Sequence, residues 1–235
     1  ISGGLVGSEM CIRDRSFMEN IRFGNLDAPH HKIKKAAKNA DIHEFINSSI
    51  DGYNTIVGES GNTLSGGQKQ RISIARALVS DPRLVIADEA VAALDVSIQA
   101  DVLNLLKSLQ KDMGLTFMFI SHDLSVVAHI CDHVAVMYLG RLVESAPTRE
   151  LFKAPKHPYT KALFSAIPSL NPDDQETAQR LEGEIPSPTN QPSGCKFHTR
   201  CPHAIDICKK EEPSLQQTDP QHEVACHRWK ELFNT

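Results

Sequence analysis

The sequence predicts an α/β protein with a mostly parallel sheet in its first part and a loop-rich, proline- and cysteine-containing appendage after it. Two observations carry this expectation. Between residues 84 and 134 short apolar runs alternate with amphipathic helical stretches, as strands and crossover helices of a parallel sheet do. After Ala146 the composition changes, because eleven of the 13 prolines lie between Pro147 and Pro220 and four of the six cysteines fall in the last 41 residues. At 235 residues with 40% hydrophobic content, the chain is long enough for one substantial core.

The elements follow in order. Residues 1–15 begin with Ile1 and show neither apolar periodicity nor a helix start. The chain therefore reads as a fragment, and residues 8–15 resemble translated sequencing adapter; no function is assigned to 1–15. From 31 to 47 the spacing of Ile33, Ala37, Ala40 and Phe45 predicts one amphipathic helix, followed by a turn at Asp51-Gly52. A second helix starts after Leu64-Ser65-Gly66-Gly67 and stops at Asp81-Pro82. Residues 84–87 form a short apolar run ending in Asp88 and Glu89, the pattern of a buried parallel strand whose C-terminal end faces a site. Ile98, Val102, Leu105, Leu106, Leu109 and Met113 share one helical stripe closed by Gly114, and residues 115–121 make the next buried strand. A helix over 124–131 leads into a hairpin, 134–138 and 141–144, turning at Leu139-Gly140. Beyond it only short helices such as 159–167 are expected.

Composition excludes some classes of function. No apolar run approaches the roughly 18 residues of a membrane span, and the first residues lack a signal-peptide pattern. A net charge of -4 implies no basic face for nucleic acid. Six cysteines without an export signal point to a reducing compartment, where clustered thiols hold metal more often than they pair.

A Ser-Gly-Gly opening a helix exposes backbone N–H groups at the positive end of the helix dipole, a natural anion site. Alone it is most simply a loop capping a helix. Here Leu64-Ser65-Gly66-Gly67-Gln68 is followed by an apolar strand ending in Asp88-Glu89, then Ala93-Leu94-Asp95, then a strand ending in Ser121-His122-Asp123. This order resembles the ATP-binding cassette (ABC) ATPases. The resemblance implies that Asp88 holds Mg²⁺ through water and that Glu89 is the base polarising the attacking water. It also makes His122 the switch histidine at the γ-phosphate and places Asp95 in the loop that signals across a dimer. Ser65, Gly66, Gly67 and Gln68 would then bind ATP held by an opposing subunit. Ala92 stands where the family usually has Ser or Thr.

Two features depart from that pattern. No Gly in the chain is followed by Lys, so the G-x-x-x-x-G-K-[ST] phosphate cradle is lacking, as a loop upstream of Ile1 would explain. Residues 16–24, 42–46 and 55–61, with Glu59 in a loop touching the membrane domain, resemble exporter ATPases. Asp95-Val96-Ser97-Ile98-Gln99-Ala100, His157-Pro158-Tyr159-Thr160 and the cysteine tail instead resemble dipeptide and oligopeptide importers. A chimeric join between Leu64 and Asp95 would reconcile the two. The expected division is 1–15 unassigned, 16–146 a partial ABC ATPase domain with its helical signature subdomain, and 147–235 an importer-type extension.

Cys195, Cys201, Cys208 and Cys226 have five, six and seventeen residues between them, unlike the tight pairs of ordinary zinc modules. Spacing alone leaves open a metal site or unrelated thiols, with His198, His203, His222 and His227 as alternative zinc ligands. The run Gly194-Cys195-x-Phe197-x-x-Arg200-Cys201-Pro202 resembles the importer tail, which implies a [4Fe-4S] cluster on the four cysteines, with Zn²⁺ as the alternative. Its expected role is structural, since the tail has few large apolar residues of its own. Cys11 and Cys131 are not expected among the ligands.

The resemblance thus implies an ATP- and Mg²⁺-using subunit that powers peptide uptake. It would dimerise with a second ATPase subunit and sit on the cytoplasmic face of the membrane through permease subunits, with a solute-binding protein acting indirectly and no nucleic acid. An exporter ATPase and a soluble ABC ATPase are the rival readings. Without the phosphate cradle, the isolated chain is expected to turn over negligible ATP.

Overall fold

A computed structural model describes residues 4–6, 12, 14–58, 63–165, 181 and 183–233. Contacts divide the chain into two compact units, Ile1–Asp123 and Leu124–Thr235.

The first unit holds a three-stranded parallel sheet in the order β1-β2-β3, with β1 at Gly4–Val6, β2 at Leu84–Asp88 and β3 at Thr116–Ile120. Parallel strands need crossovers, and α5 (Val96–Met113) provides the one between β2 and β3, capped by Asp95 at its start and closed at Gly114 with φ 64. Its buried stripe, Val102, Leu103, Leu106 and Leu109, contains three of the residues that the periodicity selected. Around α4 (Gly66–Leu78) pack α1 (Phe17–Arg22) and α2 (His30–Asn39), with Ile21, Ile33 and Ile72 fully buried.

Two expectations are corrected here. The single helix over 31–47 is two, α2 and α3 (His43–Ser48), because Asp41 adopts φ 52. At this break the Ile42 N–H reaches the Ala37 carbonyl and the Asp41 N–H the Lys38 carbonyl. That is a Schellman stop with Asp in the left-handed position where glycine usually signals it. Residues 115–121 are not buried on both faces: along β3 Thr116, Met118 and Ile120 are exposed.

The second unit begins with α6 (Leu124–Ile130) and the hairpin β4 (His133–Tyr138) and β5 (Arg141–Pro147), which turns through Leu139 at φ 46 and Gly140 at φ 77. Then come α7 (Thr148–Lys153), α8 (Pro158–Ser165), α9 (Asp206–Lys210), β6 (Gln216–Asp219), β7 (His222–Val224) and α10 (Trp229–Phe233). The sheet is antiparallel in the order β4-β5-β7-β6, with Glu144 opposite Val224 and Ser145 opposite Glu223.

This pairing brings the cysteine-rich tail onto the hairpin. Phe197, fully buried, joins Val136, Tyr138, Val143, Ala146 and Leu151 in one core, with Tyr138 and Tyr159 rings 5.3 and 5.4 Å from its own. The tail is poor in large apolar residues, and the hairpin supplies the core that it lacks. Consequently 133–147 packs with the tail, and the compact units part between Asp123 and Leu124.

Candidate functional site

The first site lies at the C-terminal ends of β2 and β3. Asp88 is the last residue of β2, opposite Ile120, and the Glu89 N–H extends the ladder by donating to the Ile120 carbonyl at 2.9 Å. Glu89 then turns the chain at φ 48, a left-handed conformation costly for a residue with a Cβ, of the kind that concentrates at functional positions. Its Oε1 accepts a 2.8 Å hydrogen bond from Nδ1 of His122, which follows β3. The pair is open on one side, with the His122 side chain 77% exposed and that of Glu89 27%. The Glu89 carboxylate, through this hydrogen bond and then its charge, holds the His122 imidazole above the ordinary histidine range. Glu89 Oε2 is buried with no hydrogen-bond partner. A buried carboxylate oxygen left without a donor suits a water or a cation held by water.

The Ser-Gly-Gly loop is the N-terminus of α4. Ser65 is its N-cap: Oγ accepts from the Gln68 N–H at 3.3 Å while the Ser65 N–H donates to Gln68 Oε1 at 2.9 Å. The two glycines let the start of α4 pack closely, since a Cβ at Gly66 would stand 2.9 Å from Leu94 Cδ2 and one at Gly67 2.9 Å from Ile98 Cγ2, so those side chains would have to shift. Asp95 caps α5, its Oδ1 accepting from the Ile98 N–H at 3.0 Å. The start of α4 therefore seats on the loop carrying Asp95. Among the described residues, no hydrogen bond joins Ser65–Gln68 to Asp88, Glu89 or His122.

The second candidate lies in the other unit. Cys195, Cys201, Cys208 and Cys226 all line one small cavity with Phe197, His157, His198, His203 and His227. The Cys195 N–H donates to the Cys208 carbonyl at 2.8 Å, a close approach made possible by Gly194 at φ 59. Any Cβ on Gly194 would stand 2.4 Å from that same carbonyl oxygen. All four thiols are free, and burial pushes the thiol of Cys226 up to about 11 and those of Cys195 and Cys201 upward too, with neighbouring thiols adding to the shift. Among the described residues, no three His, Cys, Asp or Glu side chains stand in metal-ligating geometry. The four cysteines expected to hold a cluster or zinc thus share one cavity, but they do not form a metal-ligand set there.

Known proteins match parts of both units. The ABC transporter family model matches residues 5–92, and the model of the oligopeptide/dipeptide transporter C-terminal region matches residues 143–208. A putative peptide import ATP-binding protein of Brucella ovis is 49% identical over 211 residues, 90% of this chain and 64% of its own length. The chain is similar to the ATP-binding subunits of ABC transporters. Two Bacillus subtilis proteins are also similar. The putative oligopeptide transport protein YkfD is 54% identical over 71% of this chain and 51% of its own length, and the oligopeptide transport protein AppF 48% over 84% and 60%. A solved bacterial Atm1-family ABC exporter with ATP bound aligns with TM-score 0.56 at 36% identity, over 65% of this chain and 26% of the exporter. The chain spans about two thirds or less of the length of these curated relatives.

Set against the ABC pattern, Asp88, Glu89 and His122 gather at one sheet end, while Ser65–Gln68 and Asp95 meet around Leu94 and Ile98. Glu59 and Cys11 lie outside the described residues. His222 is corrected as an alternative zinc ligand. Its Nε2 donates to Glu144 Oε1 at 2.8 Å, and it is absent from the cavity lining. Sequence reasoning missed Glu144, which is fully buried in a strand where a charged residue reads as solvent-facing. It also took His157 only as part of the motif His157-Pro158-Tyr159-Thr160.

Proposed function

We propose that this chain is a segment of the ATP-binding subunit of a peptide-uptake ABC transporter, and that it carries the signature loop, the acidic strand end and the switch histidine. The observation that carries the reading is the Glu89–His122 pair, 2.8 Å apart at the ends of adjacent parallel strands. With ATP at this edge, Glu89 Oε1 is held by His122, and Oε2 is left to accept from the attacking water, so the carboxylate orients the water and takes up its proton as the bond to the γ-phosphoryl group forms. His122, positively charged over a wider pH range because of Glu89, adds a donor where phosphate charge develops. Asp88 at the strand end would hold Mg²⁺ through water. The ion, when bound, neutralises charge on the β- and γ-phosphate oxygens.

Ser65, Gly66 and Gly67 offer the N-terminal N–H groups of α4 to ATP carried by an opposing ATPase subunit. Seating of that helix on Leu94 and Ile98 supports a further reading, that the loop carrying Asp95 passes dimer closure to the signature loop. The peptide-import relatives and the oligopeptide-type C-terminal match support a peptide as solute and membrane permease subunits as partners, with attachment to the cytoplasmic membrane face through them. Consistent with a peripheral place, no helix among the described residues is long and apolar enough to cross a membrane.

The four cysteines are read as holding a [4Fe-4S] cluster, with Zn²⁺ as the alternative. Four sulfur donors at one cavity suit the cluster by donor type, and ligation would draw the loops bearing them together. In an assay of the isolated chain, ATP turnover stays at background because the Gly-Lys loop is lacking. Robust hydrolysis lost on Glu89→Gln would overturn this reading.

A further inference from the structure

The motif His157-Pro158-Tyr159-Thr160 has no part in the nucleotide site, yet its first residue is among the most buried polar groups in the protein. His157 is 1% exposed and lines the cavity that the four cysteines share. Two fixed points hold it. Its backbone N–H donates to Glu144 Oε2 at 3.0 Å, and Glu144 is itself fixed by the Lys156 N–H and by His222 Nε2 on its other oxygen. Its ring Nδ1 accepts from the Tyr159 N–H at 3.1 Å, and Tyr159 is packed in turn against Tyr138 and Phe197.

An imidazole nitrogen that accepts a backbone N–H carries no proton, so in the neutral ring the proton sits on Nε2. Burial keeps the ring neutral by holding it well below the ordinary histidine range. Nδ1 is taken up by the Tyr159 N–H, so Nε2–H is the donor that the ring can offer to the cavity it lines. The cavity offers four sulfurs.

We infer that His157 is a positioning residue for the cysteine cavity, its Nε2–H donating a hydrogen bond to a cysteine sulfur when the thiols bind a cation. The hydrogen bond stabilises the thiolate over the thiol and orients the sulfur towards the bound ion. Glu144 and Tyr159 fix the backbone and the tautomer, which gives the whole motif a purpose. The inference rests on the cavity being a cation site but not on which cation it takes.

The test uses the full 235-residue chain, reduced and anaerobic, with Co²⁺ as the probe and its thiolate charge-transfer absorption as the readout. His157→Phe keeps the aromatic packing and removes the donor, and it should weaken Co²⁺ binding by ~10–100-fold, as loss of an outer hydrogen bond to a metal ligand does. His157→Gln, whose amide nitrogen can take the place of Nε2–H, should keep most of the affinity. ¹⁵N spectra of the metal-free chain should show the His157 proton on Nε2. The inference is overturned by a proton on Nδ1, by equal binding in His157→Phe and the parent, by equal loss in both variants, or by no cobalt–thiolate band in the parent. Iron and acid-labile sulfide in the parent decide the cluster separately. A His157-dependent cobalt site in a chain without iron or sulfide would refute the cluster and leave the inference standing.

Discussion

Among the described residues, two glutamate–histidine pairs of the same length stand in opposite settings. Glu89–His122 and Glu144–His222 are each 2.8 Å apart, but the first has side chains 27% and 77% exposed and the second 0% and 4%. Glu144 accepts three hydrogen bonds, from the N–H groups of Lys156 and His157 and from His222, whereas Glu89 keeps one buried oxygen with no donor. The same chemistry therefore does opposite work. With both carboxylate oxygens hydrogen-bonded, the Glu144 pair stitches β5, the turn before α8 and β7 together; with Oε2 unpartnered, Glu89 still has an oxygen that can accept from a ligand.

The largest effect expected from this contrast is at Glu144. Glu144→Gln turns an acceptor into a donor facing N–H groups and should destabilise the second unit by about 3 kcal/mol, since breaking a buried charged hydrogen-bond set is costly. Trp229, the one tryptophan, lies in that unit, so urea unfolding followed by its fluorescence reads the loss directly. The matching change Glu89→Gln should move the unfolding midpoint measured by circular dichroism very little, within roughly 0.5 kcal/mol, because an exposed pair contributes little. Equal destabilisation by both substitutions would break the comparison.

Next comes Gly194→Ala. At φ 59 with the Cys208 carbonyl oxygen 2.4 Å from the new Cβ, the loop of Cys195 must move away from α9. A cost of about 2 kcal/mol is expected, in the range of overpacking with backbone strain, together with new cysteine reactivity to a thiol reagent in that loop. Smaller still are the caps: Ser65→Ala and Asp95→Ala should each cost about 1 kcal/mol, read by amide exchange at the starts of α4 and α5.

The least energetic prediction sharpens the open pair. NMR titration should place His122 above the ordinary histidine range, and Glu89→Gln should return it there. Because the folded-state value is raised, the pair's small contribution is complete below the ordinary histidine pKa and is lost as pH rises through the raised one. A His122 titration that ignores Glu89→Gln would show that the pair does not form in solution.

The edge carrying Asp88, Glu89 and His122 was legible in the sequence because its parts are local. Asp88-Glu89 and Ser121-His122-Asp123 each end an apolar run, and register between neighbouring strands brings them together. The Ser65 and Asp95 caps follow from residue type and place. The second unit was far less legible, because its organisation depends on residues far apart in sequence. Phe197 finds its core in Val136, Tyr138 and Val143, while Glu144 meets His222, 78 positions away; no period or spacing marks such partners. The split between α2 and α3 was hidden for a different reason: apolar spacing runs on across Asp41, and an aspartate adopts the left-handed conformation at which glycine would have announced the stop. The exposed face of β3 was hidden because an apolar strand reads alike whether one or both of its faces are covered.

The central claim is that this chain supplies half of a shared nucleotide site. The most direct measurement is ATP turnover by a mixture of this chain with an intact peptide-import ATP-binding subunit whose Gly-Lys loop is kept but whose own signature serine is replaced by arginine. The account predicts turnover above that of either protein alone, abolished by Ser65→Arg in this chain and unaffected by Glu89→Gln, since the base acts on ATP held by its own subunit. Turnover that does not rise on mixing, or that survives Ser65→Arg, would contradict it.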